Sequence, residues 1–147
     1  MISVADPYKP VHFLVVDDDE ICIMAIKRAM KKLGIANPMS SANNGIEALE
    51  ILNGALDPDA PLPRYVLLLD LSMPKMGGLE LLEKLRADPL LKKLVVFVLT
   101  TSDAPKDITA AYEKNIAGYI VKDNLSETIS KALSMLDGYS RLVVLPS

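Results

Sequence analysis

Four apolar runs in this sequence end on residues that can do phosphate chemistry. Leu14-Val15-Val16 runs into Asp17-Asp18, Val66 to Leu69 stops at Asp70, Leu94 to Leu99 ends in Thr100-Thr101-Ser102, and Gly118 to Val121 meets Lys122. Brought together, three carboxylates repel one another and rise in pKa unless a cation neutralises them. The ligands are all oxygen, with no His or Cys cluster to suit zinc, so the expected ion is Mg²⁺ held by carboxylates, waters and phosphate oxygens. A carboxylate beside that ion, Asp70, is placed to attack a phosphoryl group and form an aspartyl phosphate. The transferring group needs charge stabilisation more than proton transfer, which Lys122 supplies, while Thr100 hydrogen-bonds a phosphoryl oxygen.

A lone Asp after a strand is ordinarily a turn residue or a helix cap. What changes the reading is the agreement of four strand ends, because crowding like charges brings no structural benefit by itself. Asp19 and Glu20 read instead as helix-start acids, His12 as a structural residue within its strand, and Cys22, Met24 and Met30 as helix packing.

The elements that position these groups alternate along the chain. Unbroken apolar runs mark strands buried on both faces. Between them, apolar residues recur at helical spacing: Ile23, Ile26, Met30 and Leu33, with Gly34 as the stop; Ile46, Leu49 and Leu52; Leu79, Leu82 and Leu85, stopping near Asp88-Pro89; a helix from near Asp103 to about Lys114, with Pro105 in its first turn; and Ile129, Leu133 and Leu136, capped by Asn124 or Ser126. A weaker strand is expected around Pro38 to Ala42. Met73-Pro74 and Gly77-Gly78 make a turn after Asp70. Five strand-helix pairs in strict alternation predict an α/β domain, a doubly wound parallel sheet with helices on both faces. Ligands of such sheets bind at the carboxyl ends of the strands, where the four groups fall.

The chain of 147 residues fits one domain. Residues 1–10 read as an arm, 11–137 as the domain and 138–147 as a tail. A loop over about 53–64 carries Pro58, Pro61 and Pro63 with Asp57 and Asp59. The formal net charge of -3, with no basic cluster, gives no support for nucleic-acid or membrane binding. The single cysteine, Cys22, rules out an internal disulfide, and with no signal-peptide pattern the expected compartment is a reducing cytoplasm. No apolar run approaches the roughly 18 residues of a membrane span.

Taken together, Leu14-Val15-Val16-Asp17-Asp18, Asp70 with Met73-Pro74 and Gly78, Thr100, and Gly118-Tyr119 followed by Lys122 resemble the receiver domain of bacterial two-component response regulators over nearly all of residues 11–137. The resemblance implies a flavodoxin-like, five-stranded parallel sheet in the order 2-1-3-4-5. It implies that Asp70 is the phosphoacceptor, taking its phosphoryl group from a histidine kinase's phosphohistidine. Asp18 would bind Mg²⁺ directly, Asp17 mainly through water, and the backbone carbonyl of Ser72 would be a further ligand. Thr100 and Tyr119 would form the switch pair that remodels a protein-binding surface. The expected partners are a sensor histidine kinase and a downstream protein or phosphotransfer partner, and the only catalysis expected is the protein's own phosphorylation and autodephosphorylation.

The sequence departs from the family at one position. Asp123 follows Lys122 where the family usually has Pro, often through a cis bond. A cis bond to a non-proline costs about 2.5 to 4 kcal/mol, so this bond is predicted to be trans, with the Lys122 loop repositioned. Asp123 also adds negative charge that bears on the lifetime of the phosphorylated state. The proline-bearing loop, Thr100-Thr101-Ser102 and the tail from Arg141 are similar to stand-alone regulators that partner bacterial phytochrome kinases. Leu142 to Leu145 serve either as an added packing segment or as part of a homodimer contact, and the second is the reading taken.

Two other readings fit part of the pattern. Asp17-Asp18-Asp19 parses as the Asp-x-Asp of a haloacid-dehalogenase-like phosphohydrolase with Asp17 as nucleophile, but no acidic pair follows Lys122 and Asp70 is left without a role. A pseudo-receiver that binds partners without phosphorylation leaves the full set of acids, Thr100 and Lys122 unexplained.

Overall fold

The computed structural model describes residues 10–56 and 64–146. The elements run β1 (His12–Val16), α1 (Glu20–Leu33), β2 (Met39–Ala42), α2 (Gly45–Gly54), β3 (Tyr65–Leu69), α3 (Gly78–Ala87), β4 (Val95–Thr100), α4 (Pro105–Glu113), β5 (Gly118–Val121) and α5 (Leu125–Leu142). All strand pairs are parallel, and the sheet order is β2-β1-β3-β4-β5.

The apolar runs are unbroken because each face of the sheet is covered. Leu14 and Val16, Leu67 and Leu69, and Val96 and Val98 pack on one face with Ala48, Leu52, Leu81, Leu82, Leu85 and Ala111. Phe13 and Val15, Val66 and Leu68, and Phe97 and Leu99 pack on the other with Cys22, Ile23, Ile26, Met30, Ile129, Leu133 and Leu136. Successive strand residues point to opposite faces, so an exposed face would have required alternating polar residues.

Side chains begin three of the helices. Asp19 accepts from the Ile21 amide, Asn44 from the Glu47 amide and Asn124 from the Glu127 amide. Gly34, at φ 71°, closes α1 in the left-handed conformation that favours glycine. The far end of α4 is tied down differently. The Arg86 guanidinium, near the end of α3, donates to the carbonyls of Lys114 and Asn115 just past α4, and of Lys92 and Leu94 ahead of β4.

Several details differ from the sequence expectation. Met24 is 49% exposed and Ile46 is 44% exposed, so the buried stripes are Cys22, Ile23, Ile26 and Met30 on α1 and Gly45, Ala48 and Leu52 on α2. Both residues lie at the border of an apolar stripe, where 3.6-residue spacing cannot distinguish the rim from the core. The boundary drawn at 137 falls inside α5, which continues to Leu142 with an Asp137–Arg141 ion pair one turn apart. Gly77 and Gly78 supply space rather than a special dihedral. Gly77 has φ -75° and Gly78 opens α3, where a Cβ would press into the carbonyl of Asp70 and the Cα of Leu71. The positive φ of this loop falls on Lys75, at 63°.

The Lys122–Asp123 bond is trans, there being no cis peptide among the described residues. The arm over residues 1–9 and the proline-bearing stretch from Asp57 to Pro63 lie outside the described residues. Among the described residues, no helix is long and apolar enough to cross a membrane.

Candidate functional site

Sheet register brings the four groups together. Val16 lies beside Leu69, and the Asp70 amide donates to the Val16 carbonyl at 2.9 Å, so Asp17 and Asp70 leave adjacent strands side by side. Thr100 pairs with Val121, and the Lys122 amide donates to the Thr100 carbonyl at 2.8 Å. In a parallel sheet these positions share one edge, so backbone hydrogen bonds fix the constellation before any side chain contributes.

Within it, Asp17 is 2% exposed, Asp70 7% and Thr100 0%, while Asp18 faces solvent. One carboxylate oxygen from each of Asp17, Asp18 and Asp70 lies within 4.8 Å of the others. Lys122 Nζ is 2.6 Å from Asp17 Oδ2 and 3.9 Å from Asp70 Oδ2. The Asp19 amide donates to Asp17 Oδ1 at 2.9 Å, and the Ser72 amide to Asp70 Oδ1 at 3.3 Å. Among the described residues, no buried side-chain nitrogen or oxygen lacks a partner.

The electrostatics follow from burial and these contacts. Burial pushes the Asp70 carboxyl above the ordinary range; the Thr100 hydroxyl and the Lys122 ammonium pull it back, and Asp17 adds to the rise. Burial acts to lower Lys122, but the hydrogen bond and charge of Asp17, with Asp70 behind, more than offset it and hold the ammonium above its usual value. The Cys22 thiol, buried under the site, is pushed up to about 12 by desolvation first and by Asp17 second.

The donor set fits a divalent cation. Three carboxylates against one ammonium leave two negative charges unbalanced, and the oxygens of Asp17, Asp18 and Asp70 suit a hard ion. Asp18 opens this cluster to solvent, giving an ion a route of entry.

A second set of contacts lies beside Thr100. The Tyr119 hydroxyl donates to the Ser102 carbonyl at 2.8 Å, the Ser102 hydroxyl donates to Asp107 Oδ2 at 2.6 Å, and the Ser102 amide lies 3.5 Å from Thr100 Oγ1. Sequence reasoning singled out Thr100 and Tyr119 but missed Asp107, which lies in the first turn of α4 and reads as an ordinary helix-start acid. It also missed the direct Lys122–Asp17 pair, since residues 105 positions apart share no local signal.

A parallel sheet of this order, with acids, a threonine and a lysine along one edge, defines a receiver fold. The family model of the response regulator receiver domain matches residues 13–134, and the chain belongs to that family. Among its relatives, the nitrate/nitrite response regulator protein NarL of Escherichia coli strain K12 is 34% identical over 125 residues, 85% of this chain and 54% of that protein. The chain thus spans about half the length of that curated relative.

Two solved structures share the fold over nearly their whole lengths. The phosphorylated cyanobacterial phytochrome response regulator RcpA is 29% identical with a TM-score of 0.79, covering 92% of this chain and 98% of that one. The Mn²⁺-bound form of response regulator Rcp1 is 28% identical with a TM-score of 0.79, covering 95% of this chain and 100% of that one. The chain is therefore a response regulator receiver domain, a family consistent with phosphorelay signalling, and neither the phosphohydrolase nor the pseudo-receiver reading is favoured.

Proposed function

We propose that Asp70 accepts a phosphoryl group from the phosphohistidine of a sensor histidine kinase. The observation that carries this is the clustering of the Asp17, Asp18 and Asp70 carboxylates at a sheet edge that also presents Lys122 and Thr100. An Asp70 oxygen attacks phosphorus, the P–N bond breaks, and the imidazole leaves with its electron pair and takes up a proton. Lys122, already 3.9 Å from Asp70, meets the phosphoryl charge from one side, and the Thr100 hydroxyl donates to a phosphoryl oxygen.

Asp17, Asp18, Asp70 and the Ser72 carbonyl would hold Mg²⁺, Asp18 directly and Asp17 mainly through water. The ion, when bound, neutralises the carboxylates and the charge on the transferring group. The Mn²⁺-bound form of Rcp1 supports a divalent cation here. Hydrolysis of the aspartyl phosphate by the protein itself returns it to rest, at a rate on which the negative charge of Asp123 bears.

Phosphorylation is read out by Thr100 and Tyr119 as a changed protein-binding surface, offered to a downstream protein or phosphotransfer partner. The likeness to the phytochrome response regulator RcpA supports a phytochrome-type kinase as donor. The signalling unit is residues 11–137, with an arm before it and a tail after it that carries the exposed side chains of Leu142 and Val144 and forms a homodimer contact. A cytoplasmic location fits the free, buried thiol of Cys22.

Incubation with Mg²⁺ and acetyl phosphate followed by intact-mass measurement tests the assignment. Wild type should gain one phosphoryl adduct and Asp70→Asn none, with Asp17→Asn much reduced; an adduct that persists in Asp70→Asn would overturn it.

A further inference from the structure

We propose that Lys75 recruits small anionic phosphoryl donors, such as acyl phosphates, to Asp70, an inference that rests on the receiver reading above. Two non-glycine residues among those described have a positive φ, Asn115 at 58° and Lys75 at 63°. Asparagine enters the left-handed region readily, whereas lysine does so at a cost that glycine would avoid. The turn itself is set by the neighbours of Lys75. Met76 is buried, with its side chain against Gly45 and its carbonyl accepting from the Gly45 amide at 3.0 Å. The Gly78 amide donates to the Leu71 carbonyl at 3.1 Å and closes the loop. Lys75 is exposed and belongs to no ion pair among the described residues. Glycine would serve this turn as well, so the feature that lysine adds is its charge.

What that charge can do follows from its place. Gly78 abuts the Asp70 carbonyl, and Lys75 stands three residues before it, which at about 3.8 Å per Cα step is at most about 11 Å away. The surrounding edge is acidic. Asp17, Asp18 and Asp70 outnumber Lys122, and Asp19, Glu20, Asp103 and Asp123 add exposed carboxylates on the neighbouring loops. A phosphoryl donor is itself an anion, so this edge repels it. Lys75 offsets the repulsion over the screening distance of the solution, about 10 Å at 0.1 M salt and about 30 Å at 0.01 M. A second exposed lysine, Lys106 in the first turn of α4, stands between Asp103 and Asp107 in the chain, and their charges oppose its own. Toward Mg²⁺ the field of Lys75 has the opposite sign, and it weakens the binding of the ion.

The test measures the second-order rate of phosphorylation by acetyl phosphate with Mg²⁺, from the intact-mass adduct, at low and at high salt. Lys75→Asn and Lys75→Gly are neutral and suit the left-handed region. Each should react about twofold to fivefold more slowly than wild type at low salt and at the wild-type rate in high salt, with Lys75→Glu slower still at low salt. Lys75→Arg should match wild type, and Lys106→Gln should lose less than Lys75→Asn. Phosphoramidate, which carries less negative charge than acetyl phosphate, should show a smaller loss. Mg²⁺ affinity, followed by NMR of the Ser72 amide, should tighten in the neutral variants, whereas a loosened loop would weaken it. Unchanged rates in Lys75→Asn and Lys75→Gly, a loss that survives high salt, an equal loss in Lys106→Gln, or weaker Mg²⁺ binding overturns the role of Lys75 alone. A wild type that gains no adduct, or an adduct that persists in Asp70→Asn, overturns the receiver assignment with it.

Discussion

Lys122 and Asp17, 105 residues apart in the chain, form an ion pair of 2.6 Å in which both side chains are almost fully buried. The same ammonium stands 3.9 Å from Asp70, so one cation serves two carboxylates that adjacent strands force together.

Removing that cation leaves two buried anions. Lys122→Met should lower the metal-free unfolding free energy by about 3 kcal/mol, the usual cost of breaking a buried pair from one side. Millimolar Mg²⁺ should then recover more stability in the variant than in wild type, because the ion takes over the neutralisation. Urea unfolding with EDTA and with Mg²⁺ measures both; equal Mg²⁺ effects in the two proteins would show that Lys122 and the ion answer to different charges.

The reverse holds for Asp70. Burial, ahead of the opposing pulls of Thr100 and Lys122, keeps its carboxyl above the ordinary 3.8, so the folded protein binds this proton more tightly than the unfolded chain does. Ionisation therefore costs stability at neutral pH, and the cost fades as pH falls through the folded pKa toward 3.8. Asp70→Asn should accordingly raise the metal-free stability at pH 7.5, with the gain shrinking as pH falls toward 3.8. Thermal melts across pH check the sign.

At the alkaline end Cys22 acts first. Its thiol ionises near 9.0 in the unfolded chain and only near about 12 when folded, because burial and then the Asp17 charge disfavour the thiolate. Stability should fall as pH rises from 9, each pH unit costing about 1.4 kcal/mol while only the unfolded thiol ionises. Lys122 adds to the fall at higher pH, since the stabilisation from its raised pKa is complete below 10.5 and lost above it. Cys22→Ala should delay the onset, and the native thiol should resist aromatic disulfide reagents until urea unfolds the protein.

Two glycines distinguish hard from soft neighbours. A Cβ at Gly78 meets the backbone of Asp70 and Leu71, whereas one at Gly45 meets the Met76 side chain at 2.6 Å. Gly78→Ala should cost about 3 kcal/mol and impair phosphorylation by displacing the Asp70 loop, while Gly45→Ala should cost about 1 kcal/mol as Met76 gives way. Urea midpoints with the acetyl phosphate assay compare them; equal costs would refute the distinction.

The strands and the edge groups Asp17, Asp18, Asp70, Thr100 and Lys122 were legible in sequence for one physical reason. A strand covered on both faces must be apolar throughout, so its end is marked by the first polar residue, and parallel pairing puts all such ends on one edge. Helix rims were less legible, as Met24 and Ile46 show, because an apolar side chain tolerates partial exposure. The link from Ser102 to Asp107 was not legible. Five-residue spacing across a loop and a helix start carries no signature, and its meaning depends on where Tyr119 arrives from another strand. The end of α5 left no mark in the sequence, since Gly138 lies in open space within a helix that the Asp137–Arg141 pair carries on to Leu142.

The Arg86 contacts bear on how each end of α4 is held. With four carbonyls gathered on one guanidinium, the trailing end of α4 is pinned to α3 and to the approach to β4. The opening turn is tied separately, by the Ser102 hydroxyl to Asp107. The two ends of one helix are thus anchored by independent side chains from different parts of the fold, so a change at either anchor can be made without untying the other.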